Sequence, residues 1–320
     1  MGSPDVVSSG RLAGEPARRL SAASPRHGEK VIRGLLILCA ALSIATTTGI
    51  MISLVGPSIG FFREVSAIDF LFGTEWSPVI QPPSFGVLPL VVGTLSVTLW
   101  GLIFAVPIGL AAAIYLSEYA HPRVRSILKP TLEVLAGIPT VALGFFAFSF
   151  VTPLLQDLWP GFLGDGPNIF NALSAGLVIG LMIVPIIASI SEDAMSAVPA
   201  GLREGAAALG ASRMRVALRV VFPAALSGIV ASIVLGISRA IGETMIVLMA
   251  AGATPNMTFN PVESILAMTA FIGVTATGDI ATGTIEYDTI FAVGLLLFVM
   301  TLVMNLISIR LVRKYREVYE

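Results

Sequence analysis

The run Glu204-Gly205-Ala206-Ala207-Ala208-Leu209-Gly210, followed by Val220-Val221-Phe222-Pro223, decides how the rest of the chain is read. It sits between two hydrophobic segments and closes on a proline at the mouth of the second. By residue type alone it is an amphipathic connector helix between two membrane spans. Its flanks press that reading. Residues 166–191 before it carry no charge, and 220–250 is interrupted only by Arg239 and Glu243.

The composition agrees with those flanks. Of 320 residues 55% are hydrophobic and 12% charged, where a soluble domain carries about 25% charge; mean hydropathy is +0.90. Charge-poor windows fall at 34–62, 76–117, 134–156, 166–191, 220–250 and 289–309. A helix needs about 20 apolar residues to cross the hydrocarbon core, and lipid admits only helices or closed barrels. Strand-like alternation is absent, so the expected fold is an all-α integral membrane protein. The windows predict six transmembrane helices near 31–55, 88–116, 131–155, 171–191, 223–250 and 288–311.

Charge sets the expected orientation. Six cations lie before or at the first span (Arg11, Arg18, Arg19, Arg26, Lys30, Arg33) and three between the second and third (Arg123, Arg125, Lys129). Four more sit in the quoted connector (Arg203, Arg213, Arg215, Arg219) and four at the end (Arg310, Arg313, Lys314, Arg316). Seventeen of the 19 Lys and Arg thus share one side, and the opposite loops hold Arg63 alone. Both termini are expected in the cytoplasm.

Residues 1–28, rich in Ser, Ala, Gly, Pro and Arg, read as a disordered cytoplasmic tail, and 29–320 as one membrane domain with a cytoplasmic loop at 193–222. The first apolar run is too long for a signal-peptide core and is expected to stay as an anchor. Cys39 is alone, so no intramolecular disulfide forms. His27 and His121 are isolated, without metal-ligand spacing. No Gly-x-x-x-x-Gly-Lys-Ser/Thr run exists to cradle nucleotide phosphates. Neither cofactor, metal nor nucleic acid is called for.

Two outward excursions are expected. Residues 56–87, with Trp76, Pro78, Pro82 and Pro83, read as an ordered but non-helical lip. In 253–287 the uncharged run Ser264–Gly278 is too short to span and reads as a partly inserted or surface helix. Either is also open to reading as a plain loop. Gly137-Ile138-Pro139-Thr140 reads as a kink within the third span, because proline frees a carbonyl that neighbours or water must satisfy.

Ser238-Arg239-Ala240-Ile241-Gly242-Glu243-Thr244 places two ionisable residues inside the fifth span. Sixteen residues beyond Pro223, Arg239 stands about 24 Å along the helix, too deep for easy snorkelling. An Arg at a helix centre costs about 2.5–3.5 kcal/mol on the lenient insertion scale. One reading is structural: Arg239 and Glu243 pair at i, i+4. On exposed helices such pairs contribute about 0.2–0.5 kcal/mol with Glu first, and here Arg comes first. The other reading is functional, because a guanidinium offers a planar fork matched to oxyanions and stays charged. A passing multivalent anion needs such a group; Glu243 would hold it between transport events, and Ser238, Thr244 and Thr140 would add neutral donors.

These motifs resemble the binding-protein-dependent ABC importer permeases, and most closely PstC-type subunits of the phosphate importer. The connector resembles their cytoplasmic signature loop, with Glu204, Ala206, Gly210 and Pro223 in register and Gly205, Val220 and Phe222 as conservative departures. The likeness runs from about residue 29 onward through Phe70–Pro78, Phe85–Leu95, Ala112–Tyr119, Leu135–Thr140 and Arg239–Thr244. The signature loop says only ABC importer, and the Arg-x-x-Gly-Glu pattern is also similar to that of sulfate and molybdate permeases. An ion-coupled secondary transporter is disfavoured by the signature loop and by the lack of an internal repeat.

The resemblance implies a type I importer permease fold in a bacterial inner membrane and a non-catalytic subunit that carries inorganic phosphate. It implies a PstA-type permease partner, two PstB-type ATPases and an external PstS-type binding protein, with Arg239, Glu243, Thr244 and Ser238 along the substrate path. It further implies a short coupling helix around 198–212 that seats in the ATPase through Glu204, Ala206, Leu209, Gly210 and Pro223. Leu202, Ala206 and Leu209 share a helix face, Pro199 suits the first turn, and Gly210 would let the chain turn away.

Overall fold

Small residues set how closely the helices approach, as expected where lipid supplies no hydrophobic force to press them together. The computed structural model describes residues 27–315; the expected tail falls, up to residue 26, outside the described residues. The chain divides after Met51. Up to there, the first helix, α1 (His27–Glu64), is an apolar rod. The remainder, from Ile52 onward, is the bundle described here.

Its centre is the pairing of α3 (Leu88–Ile114) with α7 (Ala172–Ser196). A methyl group added at Gly180 would stand 2.8 Å from the Gly101 carbonyl oxygen, and one at Gly176 2.7 Å from Trp100 Cβ. These glycines let the two backbones nearly touch. Helix α7 is the most enclosed, with 67% of its apolar window buried against 11% for α14 (Ile285–Tyr315). It is the core element, and α14 turns most of its surface outward. Ser191 and Ser232 satisfy each other at 2.7 Å between α7 and α11 (Leu226–Ile241).

Among the described residues six spans are present if a bent pair is taken as one. Five helices are long and apolar enough by themselves, and Arg213–Ala224 joins α11 at an angle of 73° to make the sixth. Two predicted spans are corrected in detail. The third does not run from 131. A separate helix, α4 (Pro122–Ala136), ends at Gly137, and the span begins at Thr140 with α5 (Thr140–Phe146) and α6 (Thr152–Asp157). The cause is Pro139, which lacks an N–H and drives Ile138 out of helical geometry. The fifth does not run unbroken from 223 to 250: α11 stops at Ile241, and α12 (Met245–Ala250) starts anew after Gly242-Glu243-Thr244. Gly242 ends the first helix, and the Glu243 carboxylate supplies acceptors for the N–H groups that open the second. Two of the prolines within spans leave a local signature. The π turns Ala147–Val151 and Ala217–Val221 lie just ahead of Pro153 and Pro223, the adjustment by which a helix absorbs a missing donor.

The excursion at 56–87 is ordered, but it is partly helical rather than non-helical. Helix α1 continues through Pro57 to Glu64, α2 (Ala67–Phe72) follows, and β1 (Trp76–Ser77) pairs antiparallel with β2 (Ser84–Phe85). Aromatic rings hold it: Phe61 meets Phe70 and Phe85 edge-on at 5.5 Å, and Trp76 meets Phe271 at 4.9 Å. Such contacts are worth about 0.5–1.5 kcal/mol each beyond burial. Within 253–287 the expected short helix is α13 (Met268–Thr277). It packs into the bundle instead of lying on the surface, since the Met268 N–H donates to Thr94 Oγ1 at 3.0 Å and Met268 is fully buried.

Candidate functional site

The break between α11 and α12 assembles the first group of residues. Arg239 lies in the last turn of α11, and Glu243 lies in the break itself. The Arg239 guanidinium donates from Nη1 to Glu243 Oε2 at 2.8 Å. The other oxygen of Glu243 accepts from the backbone N–H groups of Met245 at 3.1 Å and Ile246 at 3.4 Å, so the same carboxylate caps α12. Its carbonyl accepts from Thr269 Oγ1 of α13 at 2.7 Å. Glu243 is 2% exposed and Arg239 41%. The acid is locked into the fold, while the cation it holds keeps an open flank with unspent donors.

Ser238 turns toward α14, where its hydroxyl donates to Asn305 Oδ1 at 3.1 Å. Thr244 precedes α12, its hydroxyl reaching the Gly242 carbonyl at 3.4 Å. Thr140 opens α5, one turn before Gly144, which rests against the backbone of Met245 and Ile246. The structure thus joins Arg239 and Glu243 directly, and gives Ser238 a partner the sequence reading missed. Asn305 is the one amide side chain in the uncharged 289–309 window, and that was the available signal.

The second group lies on the connector. Helix α8 (Ala200–Ala208) is narrower than the expected 198–212, with Pro199 as its N-cap rather than in its first turn. Glu204 is exposed, Ala206 packs inward against the cluster around Val216 and Val221, and Leu209 is 92% exposed at the C-cap. Gly210 has φ of 80°. Its N–H bonds to Ala207 O at 2.9 Å, and the Ala211 N–H reaches back to Ala206 O at 3.1 Å. This is the Schellman closure, whose left-handed residue is usually glycine. Pro223 sits in the first turn of α10 (Phe222–Ala224), at the root of the bent span.

Two charged arrangements hold this region, and sequence reading counted their cations only as an orientation signal. Arg203 of α8 donates to the α7 end at Met195 O and Val198 O, both at 2.6 Å, and to Glu118 Oε1 at 3.2 Å. It adds a second donor to Met195 O, which already takes the Val198 N–H at 3.2 Å, and satisfies Val198 O just beyond the helix end. Above it, Glu192 is fully buried and meets Lys129 at 2.8 Å, Ser196 Oγ at 2.7 Å, and Arg125. Lys129 also pairs with Asp193. Burial pulls the Lys129 amine down, but its hydrogen bonds to Asp193 and Glu192 and their charges outweigh that and raise it.

Among the described residues no group of three His, Cys, Asp or Glu is placed to hold a metal. The arrangement is one of a helix break and ion pairs, with the Arg239 guanidinium left exposed.

The sequence profile described as binding-protein-dependent transport system inner membrane component matches residues 105–317. A Bacillus subtilis (strain 168) protein named probable ABC transporter permease protein YqgH is 35% identical over 291 residues, covering 90% of this chain and 92% of the relative. The phosphate transport system permease protein PstC of Haemophilus influenzae is 32% identical over 308 residues, covering 90% and 94%. Among solved structures, a bacterial alginate ABC transporter in complex with alginate pentasaccharide-bound periplasmic protein aligns at TM-score 0.59 and 17% identity, over 91% of this chain and 98% of that one, a likeness of fold. The fold is that of a type I ABC importer permease. The chain belongs to the family of binding-protein-dependent transport system inner membrane components, multi-pass proteins of the bacterial inner membrane.

Proposed function

We propose that this chain is the permease subunit of an ATP-driven phosphate importer. It would line the translocation path with a second, PstA-type permease, and two PstB-type ATPases and a PstS-type external binding protein would complete the assembly. The family supports a membrane subunit whose ATPase is separate, and the PstC name of its relatives supports phosphate. The observation that carries the reading is the half-open Arg239 guanidinium, pinned by a buried Glu243 at a helix break. A fixed cation with free donors fits a multivalent oxyanion. An acid already bonded to it tempers its charge, so that the anion leaves again.

The loop 198–223 would couple this path to the ATPase. Its exposed Glu204 and Leu209 offer a surface, Gly210 turns the chain away, and Pro223 lies just before the bend that leads into α11 and Arg239. Moving a two-state bundle from 1:99 to 99:1 takes about 5.5 kcal/mol of differential binding, more than a loosely held phosphate supplies, so ATP-driven closure of the partners must drive it. The charge asymmetry favours both termini and α8 in the cytoplasm.

The test is uptake of labelled phosphate by the assembled importer carrying Arg239→Gln, with sulfate and molybdate as competitors. Uptake is expected to vanish while the subunits still purify together, and the unlabelled competitors are expected to leave wild-type uptake unchanged. Normal uptake by the variant refutes the role of Arg239. Strong competition by sulfate or molybdate reassigns the anion.

A further inference from the structure

Helix α4 (Pro122–Ala136) is amphipathic, yet it is mounted the wrong way round for a helix in water. Such helices bury their apolar stripe against the protein and show water the polar side. Here the edge packed on α7 is charged: Arg125 and Lys129 hold Glu192, Asp193 and Ser196 of α7. None of its residues is buried. At 100° per residue, Ile127 and Val134 lie opposite that edge, 66% and 73% exposed, with Val124 and Leu135 beside them in one stripe.

We infer that this stripe lies in the headgroup–acyl boundary of the bilayer, making α4 an in-plane anchor on the membrane surface. Three observations point to lipid rather than to another protein. The helix is tied at both ends to membrane spans, through Ala120-His121 on one side and Gly137-Ile138-Pro139 on the other. Fifteen residues make a rod about 22 Å long, and those tethers keep it near the bilayer face. The chain leaves α3 through Tyr115 and Tyr119, 47% and 40% exposed and four residues apart. Tyrosines at a span end mark the membrane–water interface, and α4 starts three residues later. The stripe is aliphatic but for Thr131, whose hydroxyl bonds back to Ile127 O at 2.8 Å, and exposed Val141 and Phe145 carry the apolar surface on into α5. The exposed Arg123 stands at its edge, where an anionic headgroup would meet it.

The anchor gives the ion pairs a purpose beyond stability. By holding Glu192 and Asp193 at the end of α7, a helix fixed to the bilayer plane supplies a stationary footing beside α8.

Single cysteines at Ile127, Val134 and Ser126, in the full chain with Cys39→Ser and with whatever subunits purify with it, test this in nanodiscs. Each is spin-labelled, and its collision rates with lipid-soluble oxygen and a water-soluble nickel chelate are compared. Oxygen is expected to dominate at 127 and 134, and the chelate at 126 on the polar edge. Chelate dominance at 127 and 134 overturns the inference, since the stripe would then face water. Shielding from both reagents also overturns it, because a protein partner would then be the cover. If a labelled site prevents assembly, Leu135 on the same stripe gives the same reading.

Discussion

Glu243 holds Arg239 at 2.8 Å through one carboxylate oxygen while the other caps α12 through Met245 and Ile246. One side chain thus sets both the position of the cation and the start of the helix beside it. Its two tasks separate by mutation. Glu243→Gln keeps an acceptor for the cap and loses the charge, so the subunit is expected to fold and assemble normally with altered phosphate uptake. Glu243→Ala loses both, and cap loss alone costs about 1 kcal/mol. Its thermal midpoint is expected to fall below that of the Gln variant. Equal midpoints would show that the cap carries nothing.

Arg203 fastens α8 to the end of α7. Hydrogen bonds to a charged group contribute about 1.5–3 kcal/mol, so Arg203→Met is expected to speed amide exchange across 200–209 by about tenfold or more. Exchange elsewhere in the bundle should hold steady. ATP turnover without phosphate uptake is the expected functional outcome, measured on the reconstituted assembly.

The Lys129 pairing has a defined pH window. Because the amine is raised above its ordinary 10.5 in the folded chain, its contribution is full below that value and is lost only as pH climbs through the folded-state pKa. The difference in thermal midpoint between wild type and Lys129→Met is therefore expected to stay constant from about pH 6 to 9 and to shrink in stronger base. A difference that changes near neutrality would point to a different group.

Gly180 has a backbone carbonyl where its side chain would go, 2.8 Å from the position of an added Cβ. Gly180→Val must push α3 and α7 apart, and overpacking of this kind costs about 1–3 kcal/mol. Heat-induced aggregation in detergent is expected at lower temperature than for Gly34→Val, where the added carbon meets nothing within 4 Å.

The number and rough placement of the spans were legible because hydropathy and charge asymmetry both report the same boundary, lipid against water. Breaks within spans were not. Gly242-Glu243-Thr244 sits in the 220–250 window, which averages apolar enough to read as one helix, and only the bonding of Glu243 to two backbone donors shows that a new helix starts there. The same limit hid α4, whose start among cations and end at Gly137 merged with the next apolar window. Partners at long sequence distance escaped entirely. Arg203 with Glu118 and Ser238 with Asn305 join residues 85 and 67 positions apart, and no local pattern couples them. Glu192 and Asp193 did leave a signal, two adjacent acids directly after the uncharged run 166–191.

The central claim is that Arg239 meets the travelling anion. A structure of the assembled importer trapped with phosphate and a non-hydrolysable nucleotide tests it most directly. The account predicts phosphate density in a cavity between the two permeases, with an oxygen within hydrogen-bonding distance of the Arg239 guanidinium and the Glu243 pair still in place. A guanidinium turned to acyl chains, or sealed from that cavity, would contradict it.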